Sequence, residues 1–227
     1  MLIYIHGFNS APASFKARLI GARMHALGRE QEYFVPALPH RPAEAMALLC
    51  DLLDKHSIAA LIGSSLGGFY ATYLAERYGA RAVLVNPAVK PYKLLRNYLG
   101  PQKNLFTGAE YELTVQHVTE LEALETTAIT PERYLLLTRT GDEVLDYRDG
   151  VEKYRGARQH VIAGGDHGFD EKRHEPELDA VLFLEVLAHR LAQRHHRRHV
   201  GLVERRENRR RVLRHHELRR DFFAQRR

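Results

Sequence analysis

Six short runs rich in Ile, Val, Leu and Tyr, near residues 2–5, 33–36, 58–63, 81–86, 133–139 and 158–163, alternate with longer segments of helical period. Those segments lie near 13–28, 41–56, 66–78 and 144–154, with a last one at 177–194. Parallel strands cannot be joined by a tight turn and need a crossover, usually a helix. The alternation therefore predicts a doubly wound, three-layer α/β architecture with a mostly parallel sheet of about six strands. At 227 residues, 44% of them apolar, the chain is long enough for one such core. The connection over residues 87–131 breaks the rhythm, being longer than a crossover requires. Its segments PYKLLRNYLG and VTELEALET read as helical, which predicts a small helical cap over the strand ends.

The formal net charge of +6 is not spread evenly, because residues 194–227 hold 13 Arg against 4 acidic residues. That leaves 21 basic and 24 acidic residues for residues 1–193, a mildly acidic body. The expected organisation is one α/β domain over 1–193 and an Arg- and His-rich basic tail over 194–227, with too few apolar residues for a core of its own. Nucleic acid or another anionic partner is expected only through this tail, where aromatic interleaving is limited to Phe222 and Phe223. The longest apolar runs fall far short of the roughly 20 residues that cross a bilayer, and MLIYIHGF lacks the basic start and long apolar segment of a secretory signal. A cytoplasmic protein is the expectation. A single cysteine, Cys50, leaves no internal disulfide.

Chemistry concentrates in LIGSSLGGFY, residues 61–70. Gly63 and Gly67 frame a G-x-S-x-G pattern centred on Ser65, with Ser64 out of register. The spacing suits a nucleophile at the tip of a sharp strand-to-helix turn, where flanking side chains would crowd a strained backbone. The bare pattern is common. Here it follows an apolar strand, IAALIG, and opens a helical segment, LGGFYATYLAERYG, the context the motif requires. A phosphate-binding turn would need G-x-G-x-x-G or G-K-S/T spacing, which this stretch does not have.

A serine hydroxyl needs a base within hydrogen-bond reach, itself oriented by a carboxylate. In this fold class the acid and then the histidine follow the serine, just past the carboxyl ends of later strands. Of 14 histidines, five lie in the tail, His25, His56 and His189 fall in helical patterns, and His40, His117, His160 and His174 lack a strand-end position. His167 follows a late strand through a glycine pair in HVIAGGDHGF, and is the expected base. Asp142, three residues past the strand ending near Arg139, is the expected acid over its neighbours Glu143, Asp146 and Asp149, and over Asp166. Two backbone N–H groups must also face the developing oxyanion. Leu66, at the helix N-terminus, is one candidate, and Phe8, in the YIHGFNS loop that His6 would hold, is the other. Tyr98, Phe106 and Tyr111 in the cap are candidates to line an acyl site.

Together, YIHGFNSAPAS, IGSSLGGFYATYLAERYG, AVLVNPAVKPYKLLRNYLG, TGAEYEL, LLLTRTGDEVLDYRDGVEKY and VIAGGDHGF resemble the YqiA-type esterases, small bacterial α/β-hydrolases, in unbroken order over nearly all of residues 1–190. The resemblance implies a three-layer α/β/α-hydrolase fold with a minimal sheet lacking the first two strands of larger relatives, in keeping with a first strand at residue 2. It implies a serine esterase acting on small-molecule carboxylic esters, with thioesters such as acyl-CoA plausible, and with no metal or organic cofactor. Carried onto matching positions, the triad is Ser65, Asp142 and His167. The chain departs from the family in GGDHGF, where Asn is expected before the histidine and Ala after it, so Asp166 and Gly168 alter the His167 loop. The tail has no counterpart in the family. Competing readings are hydrolysis of amides, lactones or C–C bonds, since fold and triad do not set the acyl group, and an idle hydrolase domain that binds anions through its tail.

Overall fold

A computed structural model describes residues 1–56, 58 and 60–168. Strand β1 (Leu2–Ile5), buried at every position, leads through helix α1 (Phe15–Ala26) to β2 (Tyr33–Phe34). Helix α2 (Pro42–Lys55) then returns the chain to β3 (Ala60–Ser64), which α3 (Leu66–Tyr78) joins to β4 (Ala82–Val85). An insertion follows, made of α4 (Pro91–Leu95), a hairpin of β5 (Gly100–Lys103) and β6 (Glu110–Leu113), and α5 (Val115–Glu122). The chain re-enters the sheet as β7 (Tyr134–Arg139), α6 (Tyr147–Lys153) and β8 (Arg158–Ile162). The predicted helix at 177–194 and the basic tail lie outside the described residues.

Among the described residues the main sheet has six strands, all parallel, in the order β2-β1-β3-β4-β7-β8. Parallel crossovers are right-handed, so the reversal of direction after β2 places α1 on one face and α2, α3 and α6 on the other. Ile3, Leu61, Ala82 and Tyr134 stand side by side in register, as do Ile5, Gly63, Leu84 and Leu136. Except for Gly63, these side chains join Leu49 of α2 and Phe69 and Leu74 of α3 in one core. The alternate row, Tyr4, Ile62, Val83 and Leu135, is equally buried on the face of α1, which contributes Ala17, Ile20 and Met24. Burial on both faces is why these strands read as continuous apolar runs.

Two expectations need correction. Strand β2 stops at Phe34 instead of residue 36, in keeping with Pro36, which has no N–H to offer a ladder. The insertion is not purely helical: α4 ends in a short 3-10 turn, Arg96–Tyr98, and Gly100, at φ 114°, turns the chain into an antiparallel hairpin. Helix α5 is fixed to the start of α2 and the segment before it by the Arg41–Glu120 ion pair, by Ala43 N–H in the first turn of α2 donating to Glu120 Oε2 at 3.0 Å, and by a 3.1 Å contact between His40 Nδ1 and His117 Nε2.

Candidate active site

Because strand order reverses between β1 and β3, the loops leaving their carboxyl ends diverge and open a crevice. Ser65 stands at that edge, between the last residue of β3 and the first of α3, with φ 55° and ψ −121°, where side-chain-bearing residues are rare. Its N–H donates to Val85 O at 3.1 Å, and its carbonyl accepts from Gly68 at 2.9 Å and Ala88 at 3.0 Å. A Cβ on Gly67 would sit 2.0 Å from Ile5 O, and one on Gly63 2.4 Å from Gly67 O. Strand and helix therefore meet backbone to backbone, which is what the flanking glycines permit.

Ser65 Oγ lies 3.0 Å from His167 Nε2, and His167 Nδ1 lies 2.8 Å from Asp142 Oδ2. An ionised carboxylate only accepts, so with Asp142 ionised Nδ1 carries the proton and the neutral ring turns its Nε2 lone pair toward the hydroxyl. The other carboxylate oxygen, Oδ1, accepts from Val144 N–H at 2.9 Å and Leu145 N–H at 2.8 Å. Burial pushes the Asp142 carboxyl upward, but the bonds from His167 and from the Leu145 and Val144 N–H groups outweigh it and hold the group below the usual carboxylate range. The Asp142 side chain is 2% exposed and that of His167 20%, so the acid is sealed while the base reaches the crevice. Nearby acids have other tasks: Glu143 accepts the His167 N–H at 3.0 Å, and Asp146 caps α6.

The His167 loop is braced by two residues that sequence reasoning missed. Asn86, buried just past β4 with φ 41°, accepts Arg139 N–H at 2.9 Å and donates from Nδ2 to the carbonyls of Asp166 and His167, both at 3.3 Å. Lys16 Nζ, from α1, donates to the carbonyls of His167 at 3.3 Å and Gly168 at 2.8 Å. Burial pushes the Lys16 ammonium down to about 8, against the opposing pull of Asp166 and Asp142. A polar Asn closing the apolar run AVLV was a readable signal for the first. Lys16 offered none, since a lysine in a helical pattern is usually solvated.

The loop after β1 brings Phe8 beside this constellation. His6, buried, bonds Gly7 O through Nδ1 at 3.1 Å and accepts Leu38 N–H at Nε2 at 3.3 Å, a pairing met by the neutral ring with its proton on Nδ1. Burial, only partly offset by the Gly7 bond, lowers the His6 pKa and favours that neutral form. In a trans peptide the carbonyl and the next N–H point opposite ways, so anchoring Gly7 O aims the Phe8 N–H away from His6. Leu66 is the first residue of α3, where N–H groups lack helical partners and the dipole favours an anion. Phe8 borders two cavities. One, of about 520 Å³, also contains Ser65, His167, Lys16, Leu105 and Phe106. The other, of about 200 Å³, is lined by Leu38, Pro39, Leu66, Tyr70 and Tyr111 among others. Of the three aromatic candidates, Phe106 thus lies in the cavity of Ser65 and Tyr111 in its neighbour. Tyr98, 52% exposed, lines neither and offers its carbonyl to Gln102 Nε2 at 2.7 Å. Among the described residues no three His, Cys, Asp or Glu side chains gather as a metal would require, and no helix is long and apolar enough to cross a membrane.

This sheet, with its strand-to-helix elbow, has the α/β-hydrolase fold, and solved members of that class resemble it. Est1E from Butyrivibrio proteoclasticus, solved with ferulic acid bound, matches with a TM-score of 0.59 at 15% identity, over 83% of this chain and 88% of that one. The α/β hydrolase domain-containing protein 10 from mouse matches with a TM-score of 0.61 at 16% identity, over 84% and 90%. An esterase domain of a Rhodothermus marinus protein matches with a TM-score of 0.55 at 17% identity, over 83% and 86%. Within the class, the chain belongs to the uncharacterised protein family UPF0227, the YqiA family, whose model it matches over residues 1–184.

Proposed function

We propose that the chain is a serine esterase that hydrolyses carboxylic esters or thioesters of small molecules through an acyl-enzyme. Ser65 Oγ attacks the acyl carbonyl as His167 Nε2 takes its proton, and Asp142 fixes the imidazole tautomer and stabilises the imidazolium. The N–H groups of Phe8 and Leu66 receive the oxyanion. The tetrahedral adduct collapses as the carbon–oxygen or carbon–sulfur bond breaks and His167 returns the proton to the leaving group. His167 then takes a proton from water, whose oxygen attacks the acyl carbon, and collapse of the second adduct releases the acid and returns the proton to Ser65. The cycle uses three side chains, two backbone N–H groups and water.

The observation that carries this reading is the continuous path of 3.0 Å and 2.8 Å contacts from Ser65 through His167 to Asp142, built on a strained elbow. The fold class is in keeping with it: Est1E was solved with ferulic acid bound, and the Rhodothermus marinus protein is described as an esterase domain, though shared fold alone does not transfer their substrates. The leaving atom must come within reach of His167 Nε2, and His167 borders the larger cavity and not the smaller. The alcohol or thiol portion therefore belongs in the larger cavity, and the acyl portion extends past Phe8 and Leu66 toward the smaller.

Intact-mass measurement after treatment with a fluorophosphonate tests the proposal. One adduct is expected on wild type and on Ser64→Ala, none on Ser65→Ala, and Ser65→Ala should lower kcat on reactive esters by several orders of magnitude. Folded wild type that takes no label, or a Ser65→Ala variant that still does, would overturn it.

A further inference from the structure

The hairpin of β5 and β6 holds one residue of the oxyanion loop from two strands at once. Asn9, directly after Phe8, has φ 49°, a left-handed conformation that Asn tolerates better than most residues. Its Nδ2 donates to Gln102 Oε1 at 3.2 Å, and its Oδ1 accepts from the Tyr111 hydroxyl at 2.7 Å. Gln102 and Tyr111 are direct partners across the hairpin ladder, so a single carboxamide is clasped by a matched cross-strand pair. The clasp is itself oriented. Gln102 Nε2 donates to Tyr98 O at 2.7 Å, which turns Oε1 toward Asn9, and the Tyr111 ring stacks on His40 at 4.3 Å. Two further bonds join the same segments: Leu105 N–H donates to Asn9 O at 3.2 Å, and Asn104 Nδ2 donates to Ser10 O at 2.9 Å.

The loop between β1 and α1 has no ladder of its own, yet the Gly7–Phe8 peptide lies between two anchors. His6 holds the peptide's own carbonyl, Gly7 O, and the hairpin holds the residue after it, Asn9. We propose that Asn9, Gln102 and Tyr111 form a positioning clasp through which the hairpin sets the direction of the Phe8 N–H toward the oxyanion. This rests on the esterase reading, with Phe8 as an oxyanion donor. The insertion then contributes to the chemical step as well as covering the crevice. An oxyanion donor acts only when aimed at the charge formed in the transition state, so loosening the clasp should reduce transition-state stabilisation while leaving ground-state binding largely intact.

Two variants separate the clasp from the fold. Tyr111→Phe deletes the hydroxyl and keeps the ring on His40, and Asn9→Gly keeps a residue at ease at positive φ while removing the carboxamide. Both are to be assayed as full-length protein, with wild type and Ser65→Ala, for kcat and KM on an activated ester and for affinity to an alkyl boronic acid, whose serine adduct is a tetrahedral anion. The expected result is a fall in kcat of about tenfold for Tyr111→Phe and more for Asn9→Gly, part of the roughly 10²–10³-fold effect of losing a whole oxyanion donor. Boronate affinity should fall in proportion, with KM and affinity for the product acid within about twofold of wild type. A merely structural role would instead lower the thermal midpoint or the fraction of labelled sites without changing kcat per labelled site. That result, or two folded variants with wild-type kcat and boronate affinity, overturns the clasp while the Ser65-dependent wild-type activity leaves the esterase reading standing. Wild-type hydrolysis that persists in Ser65→Ala overturns both.

Discussion

Replacing Ser65 by Gly should remove activity and yet yield a more stable protein than replacing it by Ala. Neither substituent can bond His167, so the loss of the 3.0 Å contact is common to both variants and cancels in their difference. What remains is the backbone at φ 55° and ψ −121°, where a residue bearing a Cβ is held at a cost of roughly 1–3 kcal/mol that glycine escapes. Against this, glycine loses more chain entropy on folding than alanine, by about 0.5–1 kcal/mol. The difference should therefore favour Gly by about 1 kcal/mol at the middle of both ranges and by up to about 2.5 kcal/mol at their extreme, on the order of 2–10 °C in thermal midpoint for a chain of this size. Matched thermal unfolding of the two purified variants reads it directly, and fluorophosphonate labelling should find both unreactive. A Gly variant no more stable than the Ala variant would refute the claim that strain is stored at the elbow.

Lys16 should produce opposite trends in activity and stability at alkaline pH. Its folded pKa of about 8 lies below the ordinary lysine value, so folding is penalised while the amine is charged in both states, and that penalty is relieved as pH rises through 8 toward the unfolded value. Over the same range the loss of charge weakens the bonds to the His167 loop, so kcat/KM should fall while this contribution to stability grows; Lys16→Met should abolish both trends, and identical profiles in wild type and variant would count against the brace. At Gly67, alanine would place its Cβ 2.0 Å from Ile5 O, and the only relief is separation of β1 from α3. Gly67→Ala should be destabilised by about 3 kcal/mol or more, beyond ordinary overpacking, or fail to fold. Gly21→Ala, in mid-helix with its Cβ 3.4 Å from the Tyr33 ring, should instead be within about 1 kcal/mol of wild type in chemical denaturation, and similar effects at the two positions would contradict the backbone contact.

The sheet was legible because burial on both faces leaves a local mark: runs such as LIYI and AVLV are apolar at every position. The elbow was legible for a related reason. A backbone contact closer than any Cβ allows demands glycine at fixed offsets from the serine, and Gly63 and Gly67 record that demand within five residues. Asp142 and His167 could be expected from the rule that such groups follow strand ends, and the structure brings His167 to Ser65 and Asp142 to His167. The hairpin left no comparable mark. Its strands GPQK and EYEL are half-exposed and carry weak alternation, so the preceding PYKLLRNYLG read as a helix that in fact ends before Leu99.

What the sequence concealed are polar contacts across long separations, where neither partner's neighbours betray it. Lys16 meets His167 across 151 residues, Asn86 meets it across 81, and Tyr111 meets Asn9 across 102. Each lands on a loop that carries part of the site, and each comes from an element whose own folding does not require the bond. A strand end can present a serine, an acid or a histidine, but the loop beyond it has few backbone partners, so its aim must come from elsewhere in the chain. The Gly7–Phe8 peptide makes the point most sharply, because among the described residues its carbonyl is held by His6 and the residue after it is held by a hairpin outside the α/β layers. If that restraint sets catalytic rate, insertions of this kind should show their influence in kcat as much as in substrate affinity, and the Tyr111→Phe variant, one oxygen atom smaller, is the smallest change that distinguishes the two.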